Sequence, residues 1–105
     1  MTKTIRVPCR PSFDLGQVVA TPGALEATTD EQRLHYLARH SIGDWGYVCR
    51  EDCDVNDKAV QNGGRILSAH PIDLGKPCKG FGENTLWIIT EGDRSVTTLL
   101  LPDEY

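Results

Sequence analysis

The spacing of apolar residues changes near Gly63 and Gly64, and this change constrains the fold more than any other feature. Ahead of these glycines, apolar residues recur at the intervals of amphipathic helices, and beyond them the period is that of strands. Helices clustered before a run of strands predict an α+β fold, with two main helices packed on an antiparallel sheet. The length of 105 residues fits one such domain, residues 1–105.

The first main helix is predicted over residues 30–40. Leu34, Leu37 and Ala38 recur at i, i+3 and i+4, so they form one apolar side that we expect to face the core. Tyr36 and His40 fall on other faces of this helix. Its start is marked by two capping-box pairs, Thr29 with Gln32 and Thr28 with Glu31.

The second main helix is predicted over residues 51–62. Its acidic residues come first, its apolar stripe of Val55, Ala59 and Val60 is thin, and Gly63-Gly64 ends it.

Three strands are predicted to close the chain as an antiparallel meander, over residues 65–70, 85–90 and 95–101. Residues 91–94 suit a hairpin loop between the last two strands. Residues 71–84 hold three Gly and two Pro, which predicts a long exposed loop.

The N-terminal part contains shorter elements. Thr4–Val7 alternates like a half-buried strand, and Leu15–Ala20 is expected to form a second extended piece. Thr21 is placed to cap a brief helix in which Pro22 takes the first position and Ala24–Ala27 follows.

The formal net charge of −4 argues against binding of nucleic acid through phosphate neutralisation. The whole excess lies between Asp44 and Asp57, where five acids face one base. One interpretation is a solvated helix N-terminus, at which acids favour the helix dipole. The other is an acidic patch that engages a basic partner or mimics nucleic acid.

No apolar stretch approaches the roughly 20 residues of a membrane span, so we expect no membrane contact. The N-terminal residues lack the apolar core and cleavage site of a secretory signal, which predicts a cytoplasmic protein.

Four cysteines in such a chain are expected to be reduced thiols. Cys49 and Cys53 could share a helix face and bind zinc with Cys78 and His70, but this spacing matches no compact zinc knuckle. The alternative is that the thiols pack as small apolar residues. We predict neither a metal nor a cofactor.

Trp45 is the strongest candidate for a binding residue, because it follows Asp44 in a turn flanked by Gly43 and Gly46. Aromatic anchors with charged neighbours dominate many interfaces. The alternative is a ring folded over the helix junction. Arg94, at the hairpin tip, is a further candidate, against the alternative of a solvated turn residue.

Two other functions remain open at this level. A metal-independent ribonuclease or toxin would use His40 or His35 as the base, Arg94 to bind phosphate and Thr97 as a hydrogen-bond donor. A small-ligand-binding protein would hold its ligand between the helices and the sheet. Neither has a sequence signature, so the prediction is a protein that binds another macromolecule, most simply a protein, and performs no chemistry.

Several strings also resemble a family of small bacterial proteins carried on plasmids, phages and other mobile elements, over roughly residues 13–105. They are LGQVVATPGALE from Leu15, LARH from Leu37, GDWG from Gly43, LWIITE from Leu86 and DRSVTT from Asp93. The resemblance implies a mobile-element setting, in which genes often encode toxins, antitoxins or inhibitors of host defence.

Overall fold

The computed structural model describes residues 12–105, so the strand predicted at Thr4–Val7 lies outside the described residues. Three helices and a four-stranded sheet form an α+β fold, and the predicted element types are confirmed. In chain order the elements are β1 (Gln17–Ala20), α1 (Pro22–Ala27), α2 (Asp30–Ser41), α3 (Arg50–Asn62), β2 (Ile66–Pro71), β3 (Thr85–Thr90) and β4 (Val96–Leu100), followed by a 3-10 turn at Pro102–Glu104.

The sheet has the strand order β1-β4-β3-β2. Its last three strands form the predicted antiparallel meander, with Trp87 opposite both Ala69 and Leu100. β1 pairs in parallel with β4, Val18 lying opposite Thr97, so the sheet is mixed rather than wholly antiparallel. The sequence period could not reveal this, because it shows that a strand exists and not the direction in which its neighbour runs.

Local side-chain chemistry sets the starts of α1 and α2. The side chain of Thr21 accepts a hydrogen bond from the backbone of Ala24, with Pro22 at the first helical position. At α2, Thr29 and Gln32 exchange hydrogen bonds between side chain and backbone in a complete capping box. These caps satisfy N–H groups that would otherwise lack partners, so both helices begin where the sequence predicts.

All three helices contribute to the core on one face of the sheet. Its first apolar cluster is Ala24, Tyr36, Leu86, Ile88 and Leu99, and its second is Phe13, Trp45, Ala59 and Ile66.

The prediction of which side of α2 is buried is wrong for Leu34 and Ala38, although Leu37 is partly buried and packs against the first cluster. Tyr36 and His40 point inward and are almost completely buried, whereas Leu34 is 69% exposed and Ala38 is exposed. The buried pair finds hydrogen-bond partners inside, since the Tyr36 hydroxyl donates to the Pro71 carbonyl at 2.8 Å. The inner face of α2 therefore carries aromatic side chains whose polar atoms form hydrogen bonds inside the protein.

A similar correction applies to α3, where Val55 is 58% exposed and Asn56 is buried. The Asn56 amide donates to the carbonyl of Leu67 at 2.7 Å and accepts from the Leu67 backbone nitrogen at 3.1 Å. These two hydrogen bonds tie α3 to β2. Polar Asn56 therefore lies on the buried side of α3, whereas periodicity predicts that Val55 lies there.

The two edges of the sheet differ. Along β2, the backbone of Ala69 donates to the carbonyl of Trp45 and accepts from the backbone of Tyr47, so residues 45–47 cover this edge. Gly46 permits the close approach: its φ is +71°, and a Cβ there would lie 2.1 Å from the Ala69 carbonyl oxygen. Along β1, no strand among residues 12–105 covers the outer edge.

Candidate functional site

Trp45 is not an exposed anchor, contrary to the sequence prediction. Only 5% of it is exposed, and its ring packs against Phe13 and His40 with centroid separations of 6.1 and 5.7 Å. Its indole N–H donates to Asp57 Oδ1 at 3.0 Å. The ring closes the core at the end of α2, so the alternative interpretation, a ring folded over the helix junction, applies to this residue.

Asp44 lies at the surface, where Arg39 engages both of its carboxylate oxygens at 2.8 and 3.2 Å. The hydrogen bond from Arg39 holds the pKa of Asp44 below its ordinary value. Of the five acids in this segment, Asp44 and Asp57 have side-chain partners, and Glu51 and Asp52 occupy the first turn of α3. Acids at that turn favour the helix dipole.

Arg94 is turned into the protein. Its guanidinium donates to the backbone carbonyls of Ala59 and Gly64, each at 2.6 Å, and lies 5.4 Å from the centre of the Phe13 ring. These bonds tie the β3–β4 hairpin to the end of α3. Arginine has five N–H donors, which suits it to bridging several carbonyls. The guanidinium that was predicted to bind a ligand is therefore already hydrogen-bonded within the protein.

A chain of buried polar side chains crosses the core beneath α2. His40 Nε2 lies 2.9 Å from Thr90 Oγ1, and Thr90 Oγ1 lies 2.7 Å from Thr97 Oγ1. On the other side, His40 Nδ1 lies 2.6 Å from Ser68 Oγ, which is 3.0 Å from His70 Nε2. All five side chains are fully buried.

One end of this chain fixes the direction of every hydrogen bond in it. The Thr97 hydroxyl donates to the carbonyl of Leu15 at 2.7 Å, so Thr97 must accept from Thr90, and Thr90 from His40 Nε2–H. A neutral imidazole has one N–H, so Ser68 donates to His40 Nδ1 and accepts from His70 Nε2–H. Both histidines therefore carry their proton on Nε2, and His70 Nδ1 is a buried acceptor without a partner in the described residues.

Burial keeps both imidazoles neutral. It lowers the pKa of His40 to about 3, with the neighbouring His70 adding to the effect. Burial also lowers the pKa of His70 to about 4, and the nearby guanidinium of Arg39 makes a smaller contribution in the same direction.

The residues of the nuclease alternative are only partly brought together. His40 and Thr97 are linked through Thr90, but His40 and Thr97 are both fully buried, and Arg94 is bound to carbonyls. His35 is exposed on α2. A general base must come within hydrogen-bond reach of its substrate, and in this conformation His40 is sealed from solvent.

The three cysteines among residues 12–105 are free thiols. Cys49 is exposed, Cys53 is half-buried, and Cys78 lies 3.6 Å from the Thr85 hydroxyl. His70 is held in the buried chain. Among residues 12–105, no group of three or more His, Cys, Asp or Glu side chains is placed to hold a metal ion.

Leu34 and Leu37, on the side of α2 that the sequence assigned to the core, border an open groove of about 480 Å³ beside β1. We call this the β1 groove, lined by Val18, Val19, Leu25, Leu34, Leu37 and Leu99. Leu34, Leu25 and Val18 are 69%, 51% and 44% exposed. Apolar surface gathered in one groove marks an interaction site far more often than scattered exposed residues do. In the sequence, the helical spacing of Leu34 and Leu37 is the feature that could have indicated this groove.

Within residues 12–105, no strand pairs with the outer edge of the β1 backbone beside the groove. The N–H groups of Gln17 and Thr21 donate to Ser95 and Leu99, each at 3.0 Å. Because alternate residues of a parallel strand face the same neighbour, Val18 and Ala20 direct their N–H and C=O groups away from β4. Hydrogen-bonding groups and apolar side chains therefore face the same space.

Comparison with known proteins leaves the chain without a demonstrated relative: no family model matches it, and no curated protein or solved structure matches it significantly. No helix among the described residues is long and apolar enough to cross a membrane.

Proposed function

We propose that this chain is a protein-binding module that takes an extended segment of a partner protein onto the outer edge of β1. The observation that carries the proposal is the coincidence of an open strand edge with the β1 groove. The segment's backbone would pair with Val18 and Ala20, and its apolar side chains on one face would enter the groove.

The contrast between the two sheet edges supports this choice. The backbone of residues 45–47 covers β2, whereas β1 keeps both its backbone groups and its apolar neighbours accessible within the described chain. Proteins ordinarily protect an exposed edge, since it invites pairing with another chain. An apolar helix side beside such an edge adds favourable burial to the hydrogen bonds of pairing.

The biological setting in this proposal comes from the resemblance to mobile-element proteins. An accessory protein of such an element that binds a host protein would be suited to modulating host defence. This function needs no catalytic group, and it is compatible with the buried histidines and the bound Arg94.

The test is selection of peptides from a random display library on the immobilised protein. Selected peptides should carry apolar residues at alternate positions. Leu34→Glu should lower their affinity at least about tenfold, because it places a charge in the β1 groove. Leu74→Glu is the matched control, since Leu74 is 82% exposed in the loop after β2 and outside the groove.

Amide hydrogen exchange gives a second, independent readout. The amides of Val18 and Ala20 should exchange freely in the unbound protein and become protected when a selected peptide binds. Equal loss of binding in Leu34→Glu and Leu74→Glu would contradict the proposed site. Concentration-dependent protection of Val18 without peptide would assign the edge to a second copy of the chain instead.

A further inference from the structure

The rim of the β1 groove is acidic where α1 ends and α2 begins. Asp30 borders the groove with its side chain 91% exposed. Glu26 follows the groove residue Leu25 in the chain, and Glu31 follows Asp30; both are exposed, and neither forms an ion pair within the described part of the chain. The carboxylates of Glu26 and Glu31 therefore add negative charge that no ion pair among residues 12–105 balances.

The one basic residue at this rim offers little positive charge to a ligand. Arg33 is engaged by Asp30, and its Nη1 also donates to the carbonyl and the hydroxyl of Thr28 at 2.7 and 2.8 Å. Only 15% of its side chain is exposed. The guanidinium thus faces the protein, while the carboxylates around it face solvent.

The acidic rim lies at one defined end of β1. His40 contacts Thr90, which pairs with Thr97 in the sheet, and Thr97 in turn pairs with Val18. His40 therefore lies level with Val18 along the strand direction. Tyr36 packs in the cluster of Leu99, which is the level of Ala20. α2 therefore runs antiparallel to β1, and its first turn lies beyond the carboxyl end of the strand.

We infer that the segment bound at the β1 groove carries basic residues at the end that lies beside the carboxyl end of β1. This inference rests on the proposed function and adds the charge that the partner segment carries at one of its ends. An antiparallel segment would have its basic residues at its N-terminal end, and a parallel segment at its C-terminal end. Charge complementarity of this kind sets register and orientation as well as affinity.

The test uses labelled peptides that share a core of alternating valine and threonine. They carry two lysines or two glutamates at either the N-terminal or the C-terminal end, and binding is followed by fluorescence anisotropy. At low ionic strength, one of the lysine peptides should bind about three to ten times more tightly than its glutamate counterpart. The ratio should shrink toward one at about 0.5 M salt, because the contacts are exposed.

Matched variants locate the effect. Glu26→Gln combined with Glu31→Gln should remove most of the lysine preference, whereas Glu51→Gln combined with Asp52→Asn, on α3, should leave it intact. Equal binding of lysine and glutamate peptides, or a lysine preference that survives the first pair of changes, would overturn the inference and leave the proposed function standing. Absence of binding by every peptide would overturn both.

Discussion

The guanidinium of Arg94 donates to the carbonyl oxygen of Ala59 at 2.6 Å, and thereby joins the tip of a hairpin to the last turn of a helix 35 residues earlier. A second bond reaches Gly64, just beyond the end of that helix. The Ala59 carbonyl also accepts from the backbone N–H of Gly63, and it lies at the negative end of the helix dipole, so a cationic second donor is favourable there. Arg94 is a structural residue in this protein.

Replacing Arg94 should therefore reduce stability and leave partner binding intact. Arg94→Ala is expected to lower the free energy of unfolding by about 2–4 kcal/mol, because hydrogen bonds from a charged donor are lost. Urea denaturation measures this effect. Arg65→Ala is the control, since Arg65 forms an exposed ion pair with Glu91 that should be worth less than about 1 kcal/mol. Equal effects of the two changes would contradict the role assigned to Arg94.

Trp45 should likewise behave as a core residue. Trp45→Ala is expected to lower the free energy of unfolding by about 3–5 kcal/mol, as is usual for loss of a buried aromatic ring. Trp45→Phe keeps most of the packing but loses the bond to Asp57, so a smaller loss of about 1–2 kcal/mol is expected. A Trp45→Ala variant of unchanged stability would show that the ring lies at the surface.

Gly46 offers a test of the covered sheet edge. Gly46→Ala places a methyl group against the carbonyl of Ala69 and the ring of His70, at a φ of +71°. Gly82 has the same φ with no atom within 4 Å of the added group, so Gly82→Ala carries only the backbone strain, about 1–2 kcal/mol. Gly46→Ala should be at least about 2 kcal/mol worse in thermal or urea denaturation. Equal losses would mean that residues 45–47 do not lie against β2.

The buried histidines predict a loss of stability in mild acid. The pKa values of His40 and His70, about 3 and about 4, lie below the ordinary value of 6.5, so the unfolded chain takes up protons first as the pH falls. Their contribution to stability is complete above about pH 6.5 and decreases toward pH 4, by up to about 1.4 kcal/mol per pH unit for each.

Urea denaturation between pH 7 and pH 4.5 checks this dependence, and exposed His35 provides a control, since His35→Gln should keep it. Nitrogen chemical shifts should show both buried imidazoles protonated at Nε2 in the folded protein. A His40 ring that titrates near pH 6.5 in the folded protein would contradict the buried chain.

Two proline substitutions distinguish the two sides of β1. Val18 directs its N–H away from β4, so Val18→Pro should cost little stability while blocking the pairing of a partner segment. Val19→Pro removes a hydrogen bond to β4 and should be about 2 kcal/mol more destabilising. Denaturation together with peptide binding measures both properties. Comparable destabilisation by the two changes would place the free edge elsewhere.

Sequence reasoning succeeded where the determining contacts are local. The capping box of Thr29 and Gln32 lies within four consecutive residues, and the start of α2 follows from it. The hairpin at residues 91–94 is equally local, because a short loop between two strand patterns leaves few alternatives. Element types and most boundaries were therefore accessible before the structure.

The β1 groove was harder to predict from the sequence, because it depends on which apolar residues stay exposed once the chain has packed. Leu34 and Leu37 have the spacing of a buried stripe, and nothing near them in the chain reveals that Tyr36 and His40 take the inner face. That preference comes from Ser68 and Thr90, which lie far along the chain and supply the hydrogen bonds of His40.

The sequence by itself determined the α+β class, the helix starts and the meander, since periodicity and capping act over a few residues. Only the tertiary structure decided that Trp45 and Arg94 are internal and that β1 runs parallel to β4. It also decided that, among the strands of residues 12–105, none covers the edge of the sheet beside the apolar groove. These outcomes depend on burial and pairing between distant segments. Such contacts arise when the whole chain is packed, because a side chain's exposure is set by its neighbours in space.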